Sequence, residues 1–283
     1  MSDELEAAKT ADKIARVVAI ATQRSASLKQ AEQASLAKQQ LPLWPDLERA
    51  IPNHLARTSL FAPIGRGRRK MHDNTRLASP QGTSVTFTGK QLDMADQDVF
   101  LQAVHIARAG ALGTPIKVNR ARFLADIGRT DGKSAYDWLE ESFGRQVGAK
   151  LTIETDRFKA HLTLVAGWIQ DKATGDFELV MHPEVIKLFN HQEYSLIDWE
   201  VRKQIARRVD LGKWLQTYVA SHTPGQLHSI SVSLLKDWCG NSGRTRDFRS
   251  ALGEALDELE RLHLIANHKF YRHDIMVQWF RPR

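Results

Sequence analysis

Three arginines stand close together near the C-terminal end of the chain. Arg244, Arg246 and Arg249 lie within six residues, and Thr245 separates the first two. A guanidinium group can hold guanine through two parallel hydrogen bonds, and each good pair contributes roughly 1–3 kcal/mol of discrimination. This spacing favours contact with nucleic acid, whereas a solvated basic face is the alternative interpretation.

The residues after these arginines predict a long helix with one apolar face. That face carries Phe248, Leu252, Leu256 and Leu259. The arginines then lie at the helix start, where positive charge opposes the helix dipole. The stability of the helix therefore does not explain these arginines, which favours nucleic-acid recognition over a solvated basic face.

Signatures of catalysis are missing from the sequence. It contains no P-loop, no H-E-x-x-H pattern and no nucleophile elbow, and its eleven histidines are scattered. We expect no enzyme activity, no cofactor and no metal site.

Composition favours an acidic partner in a reducing compartment. The formal net charge is +7 over 283 residues, and a basic surface raises the local concentration of phosphates. Cys239 is the single cysteine, so there is no disulfide framework. The first residues are too acidic and polar for a secretory signal, and no apolar run could span a bilayer. The expected location is cytoplasmic, without a membrane partner.

The C-terminal half has the order of elements of a winged helix. A short helix over "ISVSLLKDWCG" precedes the long helix, and "ANHKFYRHDIMVQWF" predicts a hairpin of two strands. In such modules the second helix of the pair enters the major groove. Basic hairpin tips suit the flanking backbone, which makes Lys269 and Arg272 candidates.

The N-terminal half repeats this order with little sequence identity. Helices are predicted over 92–108, over "RARFLADIG" and from about Ser134, and alternating segments over 150–182 follow. The equivalent candidates at the helix start are Lys133, Ser134 and Tyr136, although Tyr136 could equally belong to the core. Arg157 and Lys159 are the candidates at a hairpin tip.

A connector precedes both halves. Residues 1–40 predict a flexible or helical arm, and prolines accumulate from Leu41 to Lys70. The loop "GRGRRK" could clamp phosphate or enter a minor groove, and a solvated linker is the alternative. Its candidates are Arg66, Arg68, Arg69 and Lys70.

These patterns predict an α+β fold of two tandem winged-helix domains behind an arm. The boundaries are 1–55 for the N-terminal arm and linker, 56–192 for the first winged-helix domain and 193–283 for the second.

Three stretches resemble the TrfA-type plasmid replication initiators. They are "LPLWPDLERAIPNHLARTSLF", "VTFTGKQLDMADQDVFLQAVHIAR" and "DWCGNSGRTRDFRSALGEALDEL", and they occur in the family's order. The resemblance covers most of the chain from about Gln40 onward. It implies binding to repeated origin sites, called iterons, as double-stranded DNA. It also implies opening of an adjacent A·T-rich segment, with contact to single-stranded DNA, and recruitment of the host replicative helicase.

The resemblance further implies a homodimer in equilibrium with a monomer. Dimers would be the inactive store, relevant to plasmid copy control, with edge pairing in the first domain. No residue in the sequence proves this arrangement.

The segment "QLPLW" resembles the short motif by which replication proteins bind the bacterial sliding clamp. Its candidate residues are Gln40, Leu41, Leu43 and Trp44. Leu43 and Trp44 could anchor an extended peptide in an apolar cleft. The alternative is that they fasten the connector to the protein's own first domain.

Two functions compete on these observations. An origin-binding initiator is the leading hypothesis, and a winged-helix transcriptional repressor is its rival, because fold alone does not give function. A clamp-like peptide beside two winged helices favours the initiator. A nicking enzyme is discouraged by the missing catalytic cluster.

Overall fold

The computed structural model describes residue 23 and residues 41–64, 69–80, 82–111, 113–206, 209–273 and 275–283. Within these residues the helices are α1 Asn53–Ala56, α2 Met94–Ala107, α3 Arg120–Asp126, α4 Lys133–Val147, α5 Trp199–Gln204, α6 Asp210–Ala220, α7 Val232–Trp238 and α8 Thr245–Arg261. A 3-10 helix covers Pro183–Gln192.

The strands in chain order are β1 Glu48–Pro52, β2 Phe61–Ala62, β3 Met71–Leu77, β4 Thr83–Lys90, β5 Leu92–Asp93, β6 Ile116–Val118, β7 Lys150–Thr155, β8 Lys159–Thr163, β9 Val165–Gln170, β10 Phe177–Met181, β11 Tyr194–Asp198, β12 Gln226–Ser231, β13 Ala266–Tyr271 and β14 Met276–Arg281.

The first winged-helix module consists of α2, β6, α3, α4, β9 and β10. Its sheet has the order β6-β10-β9, so the strand before α3 pairs with the last strand of the hairpin. Helix α2 begins with a capping box in which Asp93 and Asp96 each accept from the other's backbone N–H. The predicted helices over 92–108, "RARFLADIG" and from Ser134 are confirmed.

The second module repeats this arrangement with α6, β12, α7, α8, β13 and β14. Its sheet has the corresponding order β12-β14-β13. Ser231 caps α7 by accepting from the backbone N–H of Leu234 at 3.2 Å. Phe248 and Leu252 of α8 are buried, as their spacing predicts. The α+β fold with two tandem winged helices is therefore confirmed.

The first module contains an insertion that the sequence pattern did not separate from its wing. Hairpin β7–β8 joins β3 and β4 in a four-stranded antiparallel sheet, order β3-β4-β7-β8. The predicted strand over 158–169 is split, because Leu164 and Val165 are both fully buried. Two adjacent buried residues break the alternation of faces, so the chain leaves one sheet and enters the other. The wing is β9–β10, with its turn at residues 171–176.

Residues 41–55 belong to the folded body rather than to a free linker. Strand β1 pairs antiparallel with β11, and Arg49 lies opposite Ile197. The predicted boundary at residue 55 therefore differs from the structure, which places strands from both sides of the first module side by side. The arm over 1–40 lies outside the described residues, apart from residue 23.

Candidate nucleic-acid interface

The start of α8 presents the strongest group of exposed cations in the second module. Arg244 occupies the N-cap position, and Arg244, Thr245 and Arg246 are all exposed. Neither Arg244 nor Arg246 has a carboxylate partner among the described residues. Two guanidinium groups thus face solvent at the point where a recognition helix meets base edges.

Arg249 lies differently from the other two arginines. It is half-buried, and its guanidinium carbon lies 4.6 Å from the ring centroid of Phe270 on β13. This cation–π contact turns the side chain toward the hairpin. The three arginines therefore do not form one uniform face, which the sequence spacing could not reveal.

The second wing has a tight, basic tip. Arg272 and His273 both have positive φ, 52° and 55°, which fits the twist of a hairpin turn. Lys269 and Arg272 are exposed, as expected for residues that approach a phosphate backbone. These two predicted contacts lie on the wing itself.

A cleft of about 300 Å³ separates this wing from the start of α8. We call it the wing cleft. The candidates Thr245, Arg246 and Arg249 line it together with four residues that the sequence did not predict as site residues. Those four are Val232, Ser233, His273 and Ile275. Their positions at the start of the predicted short helix and at the predicted hairpin tip could have indicated that they lie beside the arginines.

The equivalent helix in the first module presents a weaker cationic group. Lys133 and Ser134 are exposed at the start of α4. Tyr136 is half-buried beneath the Arg120 guanidinium, whose carbon is 4.1 Å from the ring centroid. Tyr136 packs against the core, in line with the alternative left open for it. Its hydroxyl also donates to Asp131 Oδ2 at 3.4 Å.

Arg157 and Lys159 are not on the wing of the first module. They lie at the tip of hairpin β7–β8, which belongs to the four-stranded sheet. Arg157 pairs with Glu193 Oε1 at 2.6 Å, and Lys159 pairs with Glu154 Oε2 at 2.9 Å. Their placement on a wing is therefore wrong, because the strand switch at Leu164 gives the wing to β9–β10.

Arg69 is held inside the protein instead of in a free basic loop. Its guanidinium pairs with Asp93 and with Asp96 Oδ2, the latter at 2.9 Å, and donates to the carbonyl of Gln91. Burial raises the pKa of Asp93, and the neighbouring Asp96 adds to this rise. Arg69 thus pairs with the acidic start of α2, so it lies in an ion-pair network and not in the free basic loop that the sequence predicts. Lys70 is exposed, and Arg66 and Arg68 lie outside the described residues.

The clamp-like segment is fastened to the first module by Trp44. Trp44 is 5% exposed and stacks on Phe189 with centroids 6.1 Å apart, and its Nε1 donates to His105 Nδ1 at 3.3 Å. Leu41 is also buried, whereas Leu43 is 84% exposed. In this conformation the segment is therefore fastened to the protein's own first domain, which is the alternative interpretation of the sequence. Of Leu41, Leu43 and Trp44, Leu43 alone faces solvent. Gln40 lies outside the described residues.

The part of the chain that the structure describes has neither a candidate metal site nor a candidate membrane span. That part of the chain holds no group of three or more His, Cys, Asp or Glu side chains that could bind a metal. It also contains no helix long and apolar enough to cross a membrane.

Comparison with known proteins gives a consistent family and fold. The family described as TrfA protein matches residues 7–278. The plasmid replication initiator protein TrfA of Escherichia coli is 25% identical over 243 residues, which cover 82% of this chain and 62% of that protein. The chain thus spans about three-fifths of the length of that relative.

Two solved structures share the fold. Domains 2 and 3 of RctB are 14% identical with a TM-score of 0.56, and the match covers 82% of this chain and 99% of that one. The Pi initiator protein, solved in complex with iteron DNA, is 13% identical with a TM-score of 0.53, covering 84% and 97%. At such identities the likeness is one of fold. Because the family match extends over nearly all of the 283 residues, the chain belongs to the TrfA family.

Proposed function

We propose that this chain is a plasmid replication initiator that binds repeated origin sites as double-stranded DNA. The observation that carries the proposal is the pair Arg244 and Arg246, exposed and without carboxylate partners among the described residues, at the start of α8. Membership of the TrfA family supports the initiator role. The Pi initiator protein, which has the same fold, was solved with iteron DNA.

Binding by both modules requires that they keep a fixed relative position. The contact between them supplies this, because Asp98 of α2 accepts from Arg202 and Lys213. Trp214 Nε1 also donates to the carbonyl of Thr58 at 3.0 Å. A fixed spacing suits sites that repeat with the helical period of DNA. We propose that the chain acts by binding and does not catalyse a reaction.

Recruitment of the replication machinery is a separate part of the proposal. We place clamp binding on the segment Leu41–Trp44, with exposed Leu43 making first contact. Full engagement requires Trp44 to leave its stack on Phe189. For the helicase, and for single-stranded A·T-rich DNA, the support is family membership.

Dimer formation is proposed through the four-stranded sheet. That sheet ends in β3 and β8, and strands at sheet edges expose backbone groups that can pair with another chain. Register shifts between His72 and Thr75, where Asn74 has a φ of 43°, interrupt part of the β3 edge. Edge pairing of two copies on β3 would therefore use the end near Leu77.

The test uses DNA that flanks the gene on its plasmid. Purified chain should protect direct repeats of about two helical turns in a footprint. A plasmid with that DNA as its sole origin should replicate when the wild-type chain is supplied. Arg246→Ala should abolish both results, whereas Arg261→Ala, at the far end of α8, should abolish neither. Protection confined to a promoter, without replication, would instead identify a repressor.

A further inference from the structure

A second cavity lies at the end of the second module's sheet that is distant from the wing cleft. Strand β12 pairs with β14 so that Gln226 lies opposite Arg281 at this end, whereas Ser231 lies opposite Met276 beside the wing. The cavity has a volume of about 170 Å³. Because pockets for drug-sized ligands begin at about 300 Å³, this one suits a small ion. We call it the basic cavity, and the basic groups that line it are Arg57, His222, His228 and Arg281.

The two guanidinium groups of the basic cavity are held by the C-terminal end of α6. Arg57 Nε donates to Ser221 Oγ at 2.8 Å, and its Nη2 donates to the Ser221 carbonyl. Arg281 Nη1 donates to the carbonyl of Ala220 at 2.8 Å and to that of His222. The negative end of the helix dipole therefore attracts both cations. Arg57 Nη1 and Arg281 Nη2 have no acceptor among the described residues, so both can donate to a ligand.

Two histidines face each other beside these guanidinium groups. The ring centroids of His222 and His228 are 4.2 Å apart. His222 Nδ1 lies 2.8 Å from the Tyr218 carbonyl, and because a carbonyl only accepts, this nitrogen carries the hydrogen of the neutral ring. His228 Nε2 lies 3.0 Å from the Tyr218 hydroxyl. The opposite ring nitrogens, His222 Nε2 and His228 Nδ1, have no protein partner in the described part of the chain. Each can take up a proton and donate it to an anion.

Positive charge in the basic cavity has no counter-charge within the described residues. The lining contains no Asp or Glu side chain, and Arg283 brings a further guanidinium close to Gly225. Burial lowers the pKa of Arg57 and that of Arg281. Burial, aided by neighbouring positive groups, also lowers the pKa of both histidines to about 4. Tyr218 beside them stays neutral, because burial raises its pKa. Buried charge is normally compensated by an opposite charge, so an anion bound here would stabilise the folded chain.

We propose that the basic cavity binds one inorganic phosphate or a similar small oxyanion, and that His222 and His228 take up protons from solvent as it binds. Arg57 and Arg281 donate charge-assisted hydrogen bonds to its oxygens. Arg57 follows α1, outside the second module, whereas Arg281 belongs to β14, so the bound anion strengthens the contact between these two parts. The site lies apart from the proposed DNA interface and does not depend on it.

The test follows the histidine rings of the full chain by NMR in sulfate and in chloride at equal ionic strength. Sulfate is the probe because it stays a dianion throughout the titration from about pH 8 to about pH 5. In chloride, His222 and His228 should remain largely neutral at about pH 5. In saturating sulfate, at least about half of each should be protonated there, since an anion that binds the protonated form ten-fold more tightly raises the pKa by about one. Inorganic phosphate should produce the same ring shifts.

Variants connect this response to the basic cavity. Arg57→Gln and Arg281→Gln should each weaken sulfate binding about ten-fold or more, the effect of losing a charge-assisted hydrogen bond. Arg261→Gln is the matched control, because Arg261 is exposed and pairs with Glu258, and it should bind sulfate as the wild type does. His161 is exposed on the four-stranded sheet and should titrate identically in both salts.

Melting temperatures establish that each variant is folded. If the loss of its contact with Ser221 unfolds Arg57→Gln, the His228→Gln variant tests the same site. That variant keeps both guanidinium groups, so it should still bind sulfate, but with weaker affinity and with less increase in affinity as the pH falls.

Three results would overturn the inference. Identical titrations of His222 and His228 in sulfate and chloride would show that no anion binds beside them. A sulfate response that persists in both Arg57→Gln and Arg281→Gln would reflect the general exclusion of sulfate from protein surfaces. Displacement of sulfate by a 40-base-pair random duplex would assign the cavity to the DNA interface. A chain that binds sulfate as expected but no duplex would contradict the proposed function and leave this site in place.

Discussion

Arg202 Nε on α5 donates to Asp98 Oδ1 at 2.6 Å, and its Nη1 donates to the carbonyl of Lys213 at 3.2 Å, so Arg202 links α2 of the first module to α6 of the second. Arg202 is 1% exposed, and Lys213 binds the other carboxylate oxygen at 2.5 Å. Burial opposes the charge on Asp98, but Arg202 and Lys213 outweigh it and hold its pKa below the ordinary value. One carboxylate therefore pairs with two cations at the junction.

We predict that Asp98→Ala lowers the free energy of unfolding by about 3–5 kcal/mol. Removing one partner of a buried ion pair leaves the remaining charge without compensation. Urea titration followed by tryptophan fluorescence measures the change. Glu184→Ala is the control, since its pair with Lys187 is partly exposed and should contribute at most about 1 kcal/mol. Similar losses in both variants would show that the junction does not depend on Asp98.

Stability should also decrease on mild acidification. Burial, aided by nearby positive groups, lowers the pKa values of His105, His222 and His228 to about 4. An unfolded histidine titrates near 6.5, so the unfolded chain binds more protons between these values. The stabilisation is complete above about pH 6.5 and is lost progressively as the pH falls toward 4.

Melting temperatures at pH 7.5, 6.0 and 5.0 test this expectation. His228→Gln should flatten the dependence, because it removes one of the three titrating groups while keeping a polar side chain beside Tyr218. A melting temperature constant from pH 7.5 to 5.0 would contradict the pKa assignment.

The helices of both modules could be predicted because each carries its apolar residues at helical spacing. Leu139 and Phe143, like Leu252 and Leu256, are buried where the pattern places them. These positions depend on local periodicity, which one sequence contains. The helices of both modules and the wing of the second module were therefore predicted correctly.

Features that depend on distant partners could not be found in this way. Arg69 pairs with Asp93 and Asp96 across more than twenty residues, and a basic loop gives no sign of that contact. The division between β8 and β9 depends on which sheet each strand joins. The basic cavity, which Arg57 and Arg281 line from distant parts of the chain, likewise follows from tertiary packing.

DNA affinity should depend steeply on salt. Arg244, Arg246, Lys269 and Arg272 are exposed along one module, and neutralising phosphates releases counterions. With several phosphates contacted, we expect a loss of about 10³-fold or more between ~50 and ~200 mM salt. Fluorescence anisotropy with a labelled duplex measures the affinity at each salt concentration. A flat response would exclude the basic surface as the source of binding.

Two single substitutions separate the roles of Leu43 and Trp44. Trp44→Ala should destabilise the first module by about 3–5 kcal/mol, as expected for a large aromatic removed from a core. Leu43→Ala should change stability by less than about 0.5 kcal/mol, because its side chain is exposed. Urea unfolding measures both changes.

Capture on immobilised sliding clamp then separates packing from docking. If Leu43 makes first contact with the clamp, Leu43→Ala should reduce capture although the protein remains as stable as the wild type. Leu47→Ala is the matched control, since Leu47 is also an exposed leucine and lies four residues away. Equal capture of wild type and Leu43→Ala would leave Trp44 with a packing role alone, because a clamp that does not recognise the accessible leucine provides no free energy to release the buried ring.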